Sequence, residues 1–185
     1  MTTIFIFPEE KDLEVIDFYG NLPLDARWGK GSARFMFYHV SSHLGDDYIK
    51  LSGRAVERNS WNSLRTTFSY DAARFLRLYA GYTYHLWVEP GAQNHGAFQA
   101  GFEAYSKPFK GGRVQVYWAN DVQGWDRRQW RPAFNSQLGV KTGRDATKGR
   151  GLSYFLEFTG GPKYYGQFFE DQETRFGAGV RFDIN

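Results

Sequence analysis

The final stretch of the chain, residues 175–184, separates apolar from polar side chains by strict alternation. Because side chains on a β-strand point alternately to opposite faces, this stretch predicts a strand with one apolar and one polar face. Strands of this kind, repeated along a chain, are typical of a closed β-barrel in lipid. The apolar side would carry Phe176, Ala178, Val180, Phe182 and Ile184, and the polar side Arg175, Gly177, Gly179, Arg181 and Asp183.

The same alternation recurs through most of the sequence and predicts an all-β fold. We expect a closed, antiparallel, up-and-down transmembrane β-barrel of about ten strands (range about 8–12) that forms one domain over residues 1–185. The clearest internal segment is residues 75–88. In it, Val88 falls on the apolar side with Leu86, and Trp87 falls on the polar side. The other candidate strands are residues 4–7, 12–28, 33–43, 60–70, 97–105, 113–118, 133–141 and 152–159.

Composition excludes several classes of protein. No apolar run approaches the roughly 20 residues of a spanning helix, so a membrane protein of this sequence would be a barrel. The absence of cysteine excludes disulfides, thiol nucleophiles and cysteine metal sites. The 23 basic residues are scattered among 20 acidic ones, which argues against a nucleic-acid surface. The first residues do not read as a secretory signal, so we expect the native form to carry a signal peptide that is absent here.

The connections between the candidate strands alternate in length, as in outer-membrane barrels with long loops outside the cell. The short connections are residues 29–32, 71–74 and 108–112, and the long ones are residues 44–59, 121–131 and 160–173. One connection is an exception, because residues 142–151 lie where a short turn is expected and are longer than the other short turns. We expect the polar faces, with Gly177 and Gly179 among them, to fill a tight interior with paired charges. A narrow pore is an alternative. A soluble small-ligand barrel is another, and it would place the apolar faces inside.

The run Tyr38-His-Val-Ser-Ser-His-Leu-Gly-Asp-Asp-Tyr48 is the most distinctive motif. His39 and Ser41 share the apolar side of their strand, and Asn62 lies on the corresponding side of the next. A serine activated by a histidine that an amide orients is a workable acyl-transfer nucleophile. The two segments resemble the His-x-Ser and Ser-Trp-Asn of outer-membrane phospholipase A. The alternative is a polar belt at the membrane interface, to which His43 would also belong.

Two acidic residues follow this motif. Asp46 and Asp47 could bind calcium, which we expect only if the chain is a hydrolase. A solvated pair of loop carboxylates is the simpler interpretation. No other cofactor is predicted.

The same run resembles the signature of the DUF1207 family of uncharacterised bacterial outer-membrane barrels. Further matches lie in residues 17–24, 76–81, 99–103, 166–169 and 177–179, so that the resemblance extends from Asp12 onward. It implies a Gram-negative outer-membrane location, with membrane lipids and lipopolysaccharide as partners and no established activity. We therefore expect a structural, lipid-interacting or narrow-pore barrel. An acyl hydrolase and a soluble ligand barrel stay open as alternatives.

Overall fold

The computed structural model describes residues 2–6, 12–53, 55, 59–91, 96–143, 150–163 and 166–183. In this part of the chain ten strands form one sheet, and a short helix, α1 (Asp46–Ser52), follows the third. The strands are β1 (Thr2–Ile6), β2 (Asp12–Trp28), β3 (Gly31–Leu44), β4 (Asn59–Ala73), β5 (Leu76–Glu89), β6 (Gly96–Tyr105), β7 (Val114–Trp125), β8 (Ala133–Gly143), β9 (Gly151–Pro162) and β10 (Gln172–Asp183).

Each strand pairs antiparallel with its neighbours in the sequence, from β1 through to β10. The predicted all-β, antiparallel, up-and-down arrangement is therefore confirmed. Within the described residues, β1 and β10 each pair with one strand, so they form the two edges of the curled sheet. No helix of the described residues is long and apolar enough to cross a membrane.

The polar sides of the strands face the concave side of the sheet. The hydroxyl of Tyr79 on β5 donates to Asp121 on β7 at 2.7 Å, so this contact reaches across β6, which lies between them. Arg77 and Glu103 form an ion pair of 3.4 Å on the same side. The apolar sides face outward: Phe176, for example, is 78% exposed. The expectation of paired charges on the polar side is met by Arg77 and Glu103.

One prediction of the alternation is wrong near the end of β5. Asn62 pairs with Trp87 but Ser63 pairs with His85, which leaves Leu86 as the extra residue of a β-bulge. An extra residue exchanges the two faces for the rest of the strand. As a result Val88 is buried at 5% exposure, and Trp87 lies outside at 44%.

The connection between β9 and β10 covers one end of the concave side. It reaches across to the opposite part of the sheet, where the backbone N–H of Gly166 donates to the carboxylate of Asp17 on β2 at 3.2 Å. Gln167 donates to the carbonyl of Ser42 on β3 at 2.8 Å. A small apolar cluster below these contacts contains Val15, Leu44 and Phe168. The end of the sheet that carries the long connections is therefore capped.

Two of the long connections are more ordered than expected. The predicted loop 44–59 contains α1, and the predicted loop 121–131 begins later because β7 continues to Trp125. Most of the exceptional connection 142–151, residues 144–149, lies outside the described residues, as does Ile184.

The glycines of the polar side differ in how tightly they are packed. A Cβ at Gly101 would overlap the hydroxyl of Tyr79, and one at Gly179 would overlap the ring of Phe155. By contrast, no atom lies within 4 Å of a Cβ at Gly177. The expectation of a tight interior is therefore met at Gly179 but not at Gly177, which lies on the edge strand β10.

Candidate functional site

His39 and Asn62 lie directly opposite each other on β3 and β4. The Nδ1 of His39 is 2.8 Å from the Oδ1 of Asn62. Because an amide oxygen accepts hydrogen bonds but cannot donate them, this contact assigns the proton to Nδ1. In the neutral imidazole of His39, Nε2 then carries the lone pair that a general base requires.

Ser41 lies next to this pair on the same outer face, two residues along β3. Its hydroxyl is 2.8 Å from the Nε2 of His43, so the structure pairs Ser41 with His43 and not with His39. The ring of His43 contacts Phe18 on β2 edge to face, with the centroids 6.0 Å apart. Since alternate residues of a strand lie roughly 6.6 Å apart, His39 and His43 flank Ser41 at similar spacing.

The outer-face cluster, which we define as His39, Ser41, His43 and Asn62, contains the elements of an acyl-transfer site. A hydroxyl lies between two imidazoles, and one of these is oriented by an amide. Proton transfer from the hydroxyl to an imidazole would generate a nucleophile for an ester carbonyl. The sequence predicted three of these residues, His39, Ser41 and Asn62, as a candidate site and as an alternative to a polar belt, whereas the hydrogen bond between Ser41 and His43 was not predicted.

Asp46 and Asp47 lie at the start of α1, and both are exposed. The carboxylate of Asp47 accepts from the ammonium group of Lys50 at 3.0 Å. Among the residues that the structure describes, no group of three or more His, Asp or Glu could hold a metal ion. Calcium binding by Asp46 and Asp47 stays a prediction.

A second serine and histidine pair lies on the concave side. The hydroxyl of Ser63 is 2.7 Å from the Nδ1 of His85, and both residues are buried. His85 contacts the ring of Trp125, with centroids 5.0 Å apart, and Trp61 contacts the same ring at 5.3 Å. Alternation indicates that His85 lies on the polar side, but its pairing with Ser63 depends on the register that the bulge sets. This aromatic cluster narrows the concave side below the cap.

Comparison with known proteins identifies a family for the chain but does not indicate an activity. No curated protein matches the chain, and neither does any solved structure. A family model described as "Protein of unknown function (DUF1207)" matches residues 6–184, which is nearly the whole chain. The chain therefore belongs to the DUF1207 family.

Proposed function

We propose that this protein is an outer-membrane barrel whose apolar outer face contacts lipid. The observation that carries the proposal is an apolar belt on the outer face, formed by side chains in register from β2 to β10. In one row, Leu22 pairs with Phe37 and Phe37 with Leu64. In another, Leu138 pairs with Leu156. Other exposed members are Leu24, Phe68, Tyr82, Trp118, Phe176, Val180 and Phe182.

The dimensions of the belt support this proposal. On β2 it runs from Phe18 to Trp28, which corresponds to about 33 Å of strand and, at a tilt of about 40°, to about 25 Å of height. The apolar band of outer-membrane barrels is about 25 Å tall. An exposed apolar surface that continues over nine strands is far larger than soluble monomers tolerate. The soluble ligand barrel would instead need the apolar sides on the concave face.

Closure of the sheet into a barrel is part of the proposal. The contact between Gly166 and Asp17 joins the connection before the last strand to the second strand across the capped end, which supports closure. In a membrane-spanning sheet the backbone N–H and C=O groups of the edge strands must also be hydrogen-bonded. Lipid offers no hydrogen bonds to these groups on β1 and β10. Both considerations favour a closed barrel in the membrane.

The capped end supports a structural or lipid-interacting role over a conducting pore. Trp61, Trp125 and Phe168 occupy the concave side where the long connections meet. The partners would then be outer-membrane lipids and lipopolysaccharide at the outer face.

The proposal is tested by purifying the full chain with and without detergent and then running it unheated and heated in SDS gels. A closed lipid-facing barrel should stay monodisperse only in detergent, and it should migrate faster before heating. Planar-bilayer recordings should give no conductance steps. A chain that is monodisperse without detergent would contradict the membrane location, and regular steps would contradict the capped interior.

A second candidate function is acyl hydrolysis at the outer-face cluster, favoured by the hydrogen bond between His39 and Asn62. The hydroxyl of Ser41 would turn from His43 to the Nε2 of His39, transfer its proton there and attack a phospholipid ester. His39 would return this proton to the lysophospholipid oxygen as it leaves, and water would then hydrolyse the acyl-serine and release the fatty acid. The position of the cluster on the lipid-facing side suits such a substrate.

This candidate is tested by incubating the purified protein with phospholipid in detergent, with calcium present, and measuring free fatty acid. Activity should disappear in Ser41→Ala, while Ser60→Ala on the neighbouring strand is the control. Release that persists in Ser41→Ala would exclude the site. If the unaltered protein releases no fatty acid, the polar belt is the better interpretation of the cluster.

A further inference from the structure

The end of the concave side opposite the cap, where the short turns lie, contains a cavity of about 610 Å3. Its walls come from strands on both sides of the curled sheet, from β2, β4, β5 and β6 on one side and from β7, β8 and β10 on the other. It adjoins a second cavity of about 620 Å3 deeper on the same face, and Arg27, Arg77 and Glu103 line both.

The first cavity, which we call the basic mouth, has a large excess of positive charge. Two carboxylates, Asp71 and Glu103, face six basic side chains, a formal excess of four charges. Each carboxylate has an arginine partner: Asp71 pairs with Arg27 at 2.6 Å and Glu103 with Arg77 at 3.4 Å. The six basic residues are Arg27, Lys30, Arg74, Arg77, Lys141 and Arg181.

Two of these six basic side chains lie close together in one row of the sheet. Lys141 on β8 and Arg181 on β10 both pair in register with Ser153 on β9, one on each side. Adjacent strands lie about 4.8 Å apart, so the two cations emerge roughly 10 Å from each other. The guanidinium of Arg181 also lies over the ring of Tyr117, 5.7 Å from its centroid.

Ser153 lies between these two cations in the row. It is fully buried, and its hydroxyl has no hydrogen-bond partner among the described residues. A buried polar group without a partner costs free energy, so such groups are rare without a reason. Ser153 is not among the residues that line the basic mouth, but a group that entered between Lys141 and Arg181 as their side chains moved apart would reach this hydroxyl and accept a hydrogen bond from it.

Phosphate suits these donors better than other common ligand groups. It accepts several charge-assisted hydrogen bonds at once, and guanidinium groups match its geometry with paired N–H donors. The cations on the two walls of the basic mouth could each hold one phosphate of the same molecule. We propose that the basic mouth is a binding site for a ligand that carries two or more phosphate groups.

The proposal is tested by isothermal titration of the full chain in zwitterionic detergent. One arm uses inorganic pyrophosphate, and a parallel arm uses short-chain cardiolipin, a lipid that also carries two phosphate groups, to distinguish a free phosphate compound from a lipid headgroup. We expect saturable binding that weakens at high salt, because a charged site is screened. Tighter binding in one arm identifies the source, and absence of binding in both arms would overturn the proposal.

Three variants locate the site. The double variant Lys141→Gln/Arg181→Gln should weaken binding by at least about tenfold, since two charged hydrogen bonds are lost. Ser153→Ala is nearly isosteric and should fold normally, and it should weaken binding by about fivefold. Lys50→Gln removes a charge from α1, outside the cavity, and should leave binding unchanged. Equal binding by all variants, or equal loss in Lys50→Gln, would overturn the assignment.

Discussion

The backbone N–H of Gly166 donates to the buried carboxylate of Asp17 at 3.2 Å, although the two residues are 149 positions apart in the sequence. Asp17 also accepts from the hydroxyl of Ser42 on β3. A buried carboxylate without such partners would be strongly destabilising. The contact therefore holds the connection between β9 and β10 against the beginning of the sheet and fixes the cap in place.

Substitution of Gly166 by alanine should loosen the cap. A Cβ at this position would lie 2.6 Å from the Cβ of Ser42, and neither atom can move without shifting the backbone. We expect Gly166→Ala to lower the free energy of unfolding by about 1–3 kcal/mol, measured by thermal denaturation in detergent. Gly177→Ala, where the added atom meets open space, is the control, and an equal loss in both variants would contradict the packing argument.

Phe168 should be the main apolar anchor of the cap. Its ring is 1% exposed and packs against Val15 and Leu44. Phe168→Ala should cost about 3–5 kcal/mol of stability, through lost burial and the cavity that remains. Phe176→Ala removes the same ring from the exposed outer face and should cost much less. If the two variants denature at the same temperature in detergent, the cap does not depend on this cluster.

The effect of one charge substitution on stability distinguishes a lipid-facing belt from a surface exposed to water. Leu156 is 65% exposed in the middle of the belt. In a bilayer, Leu156→Lys should destabilise the protein by about 2–4 kcal/mol, because a charge near the midplane loses its hydration. Folding into lipid vesicles, followed by denaturant titration, measures this cost. Leu51→Lys on α1 is the matched control outside the belt. A neutral effect at Leu156 would argue against contact with lipid.

The two histidines beside Ser41 should differ in importance if the outer-face cluster hydrolyses esters. His39→Ala removes the imidazole that Asn62 orients, and it should reduce kcat by about 100-fold or more, as expected for a general base. His43→Ala should reduce kcat less than about tenfold, because His43 bonds Ser41 only in the resting arrangement. Fatty-acid release under saturating phospholipid measures both. The opposite order would make His43 the base.

The strands were predictable because their signal is local. Alternation from Phe176 to Phe182 needs no knowledge of any other residue, and alternation also placed Arg77 and Glu103 on the polar side, although it did not show that they pair. The common outer face of His39 and Asn62 was predictable for the same reason. By contrast, the bulge at Leu86 could not be read from alternation, because one inserted residue leaves each half of the strand with a normal pattern.

The sequence by itself determined an antiparallel sheet with one polar and one apolar face, since the period of two is a property of each strand alone. Only the tertiary structure decided which residues meet. Register placed His85 opposite Ser63, and sheet curvature brought Gly166 to Asp17. It also left Ser153 between Lys141 and Arg181. These contacts depend on how separate strands align and curl. Contacts between residues far apart in the chain produce no periodic pattern in the sequence, so the sequence alone does not reveal them.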